Sequence, residues 1–140
     1  MALQEPKSRQ FDPSDLRLVL RVDFPPDDRL GWGKAQLLEN IRATGSISAA
    51  GRAMDMSYRR AWLLVDEMNK MFRDKVVESQ RGGVQGGGAV LTGFGEELLA
   101  HFRNMEAKIT KTLKDDIAWL EQHRSASGAV TQSCQDNCKF

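Results

Sequence analysis

Ser46–Met71, SISAAGRAMDMSYRRAWLLVDEMNKM, carries two helical patterns on either side of a short turn. In the first, Ser46 can cap the start, and Ile47, Ala50, Ala53 and Met54 share one apolar side. Ala49, Ala50 and Gly51 are small, which lets another helix come close. Met56 closes the turn, and Ser57 stands where the next helix needs its cap. The second pattern puts Ala61, Leu64, Val65, Met68 and Met71 on one stripe. Tyr58, Arg59 and Arg60 fall in its first turn, outside that stripe. A helix-turn-helix that reads DNA presents such side chains at the start of its second helix, over the major groove. Two packed helices with no partner would show the same periodicity, so the flanking sequence has to decide.

Downstream, Val76 and Val77 within Lys75–Ser79 predict a strand and Ala89-Val90-Leu91 a returning one, with Thr92 as cap of the next helix. Between them lies Arg81–Gly88, RGGVQGGG, in which five of the seven residues after Arg81 are glycine. Two strands joined by a glycine loop with a basic root, directly after a helix-turn-helix, make a wing. Its backbone N–H groups can approach phosphates closely, and Arg81 can follow the DNA backbone or enter a minor groove. A nucleotide-binding loop fits poorly, because neither a Lys-Ser/Thr pair nor GxGxxG opening a helix is present. A plain flexible hairpin tip stays open for the loop taken alone.

Upstream, Leu16, Leu18, Leu20, Val22 and Phe24 alternate with Arg17, Arg21 and Asp23, predicting a half-buried strand ended by Pro25-Pro26-Asp27-Asp28. A single strand is unstable, so it needs a partner, either another segment or its copy in a second chain. Gly33–Thr44, with Leu37, Leu38 and Ile41 apolar and Gly45 as a stop, predicts the first helix of a three-helix unit. Trp32 reads as a core or interface residue. The expected class is mostly α (α+β).

At 140 residues, 41% hydrophobic and 28% charged, the chain suits one domain and excludes wholesale disorder. That domain is expected over residues 16–124, between disordered tails at 1–15 and 125–140. With no apolar run of membrane length and no signal peptide, a cytoplasmic protein is expected. The net charge of +1 announces no nucleic-acid partner, but residues 46–92 carry seven basic and five acidic groups, a local net of +2. Arg52, Arg59, Arg60 and Arg81 are among them, and phosphate binding depends on local charge. Only His101 and His123 exist, and no Ser-His-Asp, HExxH or clustered-carboxylate pattern occurs, so no enzymatic activity is expected. Cys134 and Cys138 have a CxxxC spacing that suits a metal, a redox pair or two idle thiols. A tetrahedral metal site needs more ligands and only His123 is near, so no metal or cofactor is expected.

Taken in order, GSIS at Gly45–Ser48, SYRRAW at Ser57–Trp62, EMN at Glu67–Asn69 and GGGAVLTGFG at Gly86–Gly95 resemble the N-terminal DNA-binding domain of ModE-type molybdate-responsive transcriptional regulators. The match covers roughly Leu16–Ile109. The resemblance implies a winged helix-turn-helix related to the LysR type, in a homodimer that binds double-stranded DNA sequence-specifically. Such proteins usually repress genes for molybdate uptake and molybdenum enzymes. Carried over by motif, Ser57, Tyr58, Arg59 and Arg60 read bases and phosphates, while Arg81, Gly82, Gly83 and Gln85 are wing contacts; Arg52 is a DNA-binding candidate from its place in the basic stretch alone. Asp55 departs from the pattern, standing in a turn where the family more often has glycine. Full-length members continue into a molybdate-binding domain. Here few residues follow the next helix, so that domain and molybdate binding are expected to be missing.

That next helix, from Gly95 to about Arg124, has Leu98, Phe102, Met105, Ile109, Leu113, Ile117 and Leu120 at steps of four or three. At 1.5 Å per residue it would be about 42 Å long, longer than a small domain is wide. Its second half then needs cover. Pairing with another copy through Met105, Ile109, Leu113, Ile117 and Leu120, with Trp119 beside them, would supply it; a helix that breaks and folds back is the other solution. Dimerisation would hold two reading helices about 34 Å apart, one turn of a palindromic site. A module that docks a protein rather than DNA remains the alternative function, and an anion nest in the glycine loop is a further one.

Overall fold

Pro25, Pro26 and Asp27 turn the chain back on itself after Phe24. The strand Arg21–Phe24 (β1) therefore pairs antiparallel with Asp28–Gly31 (β2), Val22 opposite Leu30 and Asp23 opposite Arg29. The computed structural model describes residues 15–80 and 88–125, so the expected tails lie almost wholly outside the described residues. The expected strand over Leu16–Phe24 is thus cut to its last four residues. Arg17–Leu20 keep the alternating exposure without a ladder, Leu16 is exposed, and the partner strand is the next segment of this chain rather than a second copy.

Helix α1, Trp32–Thr44, follows directly and stops at Gly45, whose left-handed φ of 70° brings its N–H within 2.8 Å of Ile41 O. Leu37, Leu38 and Ile41 are fully buried, each worth about 1.5–3 kcal/mol of transfer free energy. Helix α2, Ile47–Arg52, is capped by Ser46, whose Oγ accepts from Ala49 N at 3.1 Å. It ends sooner than its apolar spacing suggests, and Ala53, expected on its inner side, is exposed at the cap. Helix α3, Tyr58–Met71, buries Ala61, Leu64, Val65 and Met68, with Met71 half-buried at its end. The close approach read from the small residues of α2 is real. A Cβ on Gly51 would lie 2.8 Å from the Ala61 Cβ, so only glycine fits there.

Strands β3, Val77–Gln80, and β4, Gly88–Leu91, form a second antiparallel hairpin in which Val77 faces Leu91. Helix α4, Gly93–Thr112, adds Leu99 and Phe102 to a core shared with Leu37, Leu38, Ile41, Met68 and Val76. Arg103 ties α4 to α1, 2.8 Å from Glu39 and 2.7 Å from Glu106. Burial opposes the Arg103 charge, but hydrogen bonds to those two carboxylates outweigh it and hold its pKa above the ordinary arginine value.

The single helix expected over Gly95–Arg124 is instead two, because a turn at Leu113 separates α4 from α5, Lys114–Gln122. No glycine or proline marks the break. Lys111 in the last turn of α4 and Asp115 and Asp116 in the first turn of α5 do suit two helix dipoles in series. The described residues group into two compact units: Val19–Ile109, and residues 15–18 with 110–125. No helix among them is long and apolar enough to cross a membrane.

Candidate nucleic-acid interface

Two hairpins flank α3, and each is fixed to the helices by polar contacts. The hairpin β3–β4 is held at its base from three sides. Asn69, near the end of α3, accepts from Val76 N at 2.8 Å and Val77 N at 3.0 Å through Oδ1, and donates through Nδ2 to Val77 O at 3.1 Å. This satisfies the edge of β3 that β4 does not reach. Thr92 N donates to Val76 O at 3.0 Å, while the Thr92 Oγ1 donates to Lys75 O and accepts from Gly95 N at 2.9 Å. The threonine therefore caps α4, as the sequence implied, and also grips the strand. On the far side Ala89 N donates to Gly45 O at 2.9 Å, joining β4 to the turn between α1 and α2.

The hairpin β1–β2 is fixed differently. Lys34 of α1 is buried, and its ammonium donates to Arg29 O at 2.6 Å and pairs with Glu67 of α3 at 3.1 Å. Phe24 meets Phe72 edge-on at 5.5 Å, and Phe72 in turn meets Phe94 at 5.3 Å. Nothing in the sequence patterns singled out Lys34; a lysine inside an apolar helix face reads as an error until its three acceptors are visible.

Between the hairpins α3 shows its outer face. Ser57 caps the helix, its Oγ accepting from Arg60 N at 3.1 Å. The Ser57 oxygen is thereby committed to the backbone, leaving its O–H for any outside contact. Tyr58 is 59% exposed, and Arg59 and Arg60 are exposed beside it. Arg52, in the last turn of α2, is exposed as well. No acidic side chain among the described residues pairs with Arg52, Arg59 or Arg60. Asp66, two turns into α3, is taken by Lys70 at 2.8 Å, and that hydrogen bond holds the Lys70 ammonium above its usual pKa. Arg60 also lines a groove of about 470 Å³ against β1–β2, together with Arg21, Arg29 and Glu67. Arg81, Gly82, Gly83 and Gln85 lie outside the described residues.

Two residues on this face were missed from the sequence. Trp62 is 46% and Leu63 39% exposed, one turn beyond Tyr58 and Arg59. The signal was present: neither belongs to the Ala61–Leu64–Val65–Met68 stripe, so both had to point outward. Asp55, the departure from the glycine pattern, sits at φ 57° in the turn before α3. It is the only non-glycine residue in left-handed geometry among those described. The conformation that glycine would supply is thus kept with a different residue.

No family model matches the chain. Among curated proteins it is 46% identical over 85 residues to the molybdenum-pterin-binding protein MopB of Rhodobacter capsulatus, covering 61% of this chain and 32% of that protein. It is 36% identical over 88 residues to the DNA-binding transcriptional dual regulator ModE of Escherichia coli K12, covering 61% of this chain and 34% of the regulator. With the molybdenum transport protein ModE of Herbaspirillum seropedicae it shares 33% over 117 residues, 84% of this chain and 40% of the relative. The chain is similar to ModE-type proteins. It spans about a third of the length of the curated relatives it matches.

Proposed function

We propose that this chain is a DNA-binding transcriptional regulator of the winged helix-turn-helix type, a homodimer that represses molybdenum-related genes from a palindromic operator. The observation that carries the reading is the first turn of α3, where Arg59 and Arg60 stand exposed, without acidic partners among the described residues, beside the exposed Tyr58. α2 and α3 are the helix-turn-helix, with α3 entering the major groove. The hairpin β3–β4 is the wing, and the stretch between its strands, with Arg81, Gly82, Gly83 and Gln85, supplies backbone contacts. Arg52 meets a phosphate at the groove edge. Similarity to regulators named ModE supports this role.

Dimerisation is assigned to α4 and α5. α4 leaves Met105 exposed and Ile109 half-exposed, and on α5 Trp119 and Leu120 are exposed, with Ile117 half-exposed and Leu113 exposed before it. Apolar surface of that kind on helices favours pairing with a like surface.

Competition binding on a selected operator and on a random duplex tests the reading. Arg59→Ala and Arg60→Ala should weaken operator binding by more than random binding, since each good base contact discriminates by about 1–3 kcal/mol. Equal losses on both duplexes would make these arginines phosphate contacts only. The exposed Trp62 and Leu63 favour one other reading, a protein-docking module. Salt separates the two: affinity for DNA falls steeply as salt rises, and an apolar protein contact holds.

A further inference from the structure

We infer that Leu63 and Trp62 read thymine methyl groups, so that α3 selects sites by apolar contact as well as by its arginines; this rests on the DNA-reading assignment above. Neither side chain belongs to the buried stripe of α3, and Trp62 is 46% and Leu63 39% exposed. The apolar residues Ala61, Leu64, Val65 and Met68 are buried on the inner side of α3, and exposed positions there would ordinarily be polar. At 100° per residue, Tyr58, Arg59, Trp62 and Leu63 occupy an arc of about 140° that faces away from that stripe.

The surroundings identify the occupant. Arg59 stands one turn before this apolar pair and Arg60 beside it, neither with an acidic partner among the described residues, and Asp66, one turn after it, is neutralised by Lys70 at 2.8 Å. An apolar pair with unpaired cations at its N-terminal side complements a groove with methyl groups on its floor and phosphates along its walls. In the major groove only thymine presents a methyl, beside its O4 acceptor. Spacing agrees with this. Leu63 lies one turn beyond Arg59, a rise of about 6 Å, close to two steps of about 3.4 Å along a DNA strand. The thymines are therefore placed about two base pairs from the base that Arg59 contacts. Trp62, beside the groove it shares with Asp66, Asn69 and Ser79, covers the neighbouring step on the β3 side.

Uracil in place of thymine removes the methyl and leaves every hydrogen-bonding group and every charge. The intact chain is first used to select duplexes from a randomised pool. The tightest is then resynthesised with deoxyuridine at each thymine in turn, and binding is measured by fluorescence anisotropy at fixed salt. One or two deoxyuridine positions should weaken binding about fourfold, the effect of leaving one methyl-sized group unburied. Leu63→Ala and Trp62→Ala should each abolish the preference for thymine over uracil at the step which that side chain covers. Both variants should stay folded with some loss of melting temperature, since each side chain is outside the core yet more than half covered, and binding is compared between the thymine and uracil duplexes within each variant.

If every deoxyuridine duplex binds as well as its thymine parent, or the fourfold loss persists undiminished in both variants, the assignment is overturned while DNA reading by Arg59 and Arg60 stands. If selection enriches no duplex, both fall. If Leu63→Ala or Trp62→Ala lowers the oligomer mass, the patch belongs to a second copy of this chain and the assignment is wrong.

Discussion

Replacing Asn69 by alanine should detach the base of the β3–β4 hairpin from α3. The amide makes three hydrogen bonds to Val76 and Val77, at 2.8, 3.0 and 3.1 Å, and both valines are buried. At about 1 kcal/mol net apiece the loss comes to about 3 kcal/mol. Truncation also opens the groove beside Trp62 and Asp66. Water can enter there and satisfy part of the freed backbone, which brings the expected cost to about 2–3 kcal/mol. Asn69→Leu fills the same volume but excludes that water, so it should cost more than alanine. Asn69→Asp keeps an acceptor for both N–H groups but sets its second carboxylate oxygen against Val77 O, acceptor to acceptor, so it should cost about as much as alanine. Urea unfolding at fixed protein concentration measures the series, and each kcal/mol should also lower the Tm by roughly 4–8 °C. The expected order of stability is asparagine first, aspartate and alanine together, and leucine last. If alanine cost less than about 0.5 kcal/mol, or leucine proved the more stable of the two, the amide would not be what holds the hairpin.

Gly95→Ala should destabilise by about 1–2 kcal/mol, because its Cβ would be forced into the Val76 carbonyl, backbone against backbone, and overpacking outweighs the gain of about 1 kcal/mol in helix propensity. Gly93→Ala, with nothing within 4 Å of the added carbon, is the matched control and should not destabilise. Asp55→Gly should raise stability by up to about 1 kcal/mol, since left-handed geometry costs an ordinary residue roughly 1–2 kcal/mol and aspartate recovers only part; Asp55→Val should lower it. Calorimetry checks both pairs. Ile109→Glu with Ile117→Glu should halve the mass seen by light scattering, and an unchanged mass would remove the pairing role from α4 and α5.

The helices near the interface were legible because their signals are local. Ser46 and Ser57 precede them as caps, Gly45 stops α1, and the stripe of α3 recurs without interruption. What escaped depends on distance in the chain or on small free-energy differences. The partner of β1 was hidden because Asp28–Gly31 has too few residues to show an alternating pattern. Lys34 makes sense only once Arg29 O and the Glu67 carboxylate stand next to it. The turn at Leu113 has no breaker residue and rests on weak charge–dipole preferences. Of the interface, the first turn of α3 could be read directly, whereas Trp62 and Leu63 were visible as off-stripe positions and not as contacts. The motif residues Asn69, Thr92 and Gly95 turn out to share one small joint, which no spacing rule would reveal.

That joint is built from backbone groups, one amide, one hydroxyl and a glycine, and it uses none of the side chains at positions 58, 59, 62 and 63. Frame and reader are therefore separable. On the proposed reading, exchanging the side chains at positions 58, 59, 62 and 63 would re-target the molecule with the joint left intact, so new binding preferences can arise by drift at a few surface positions.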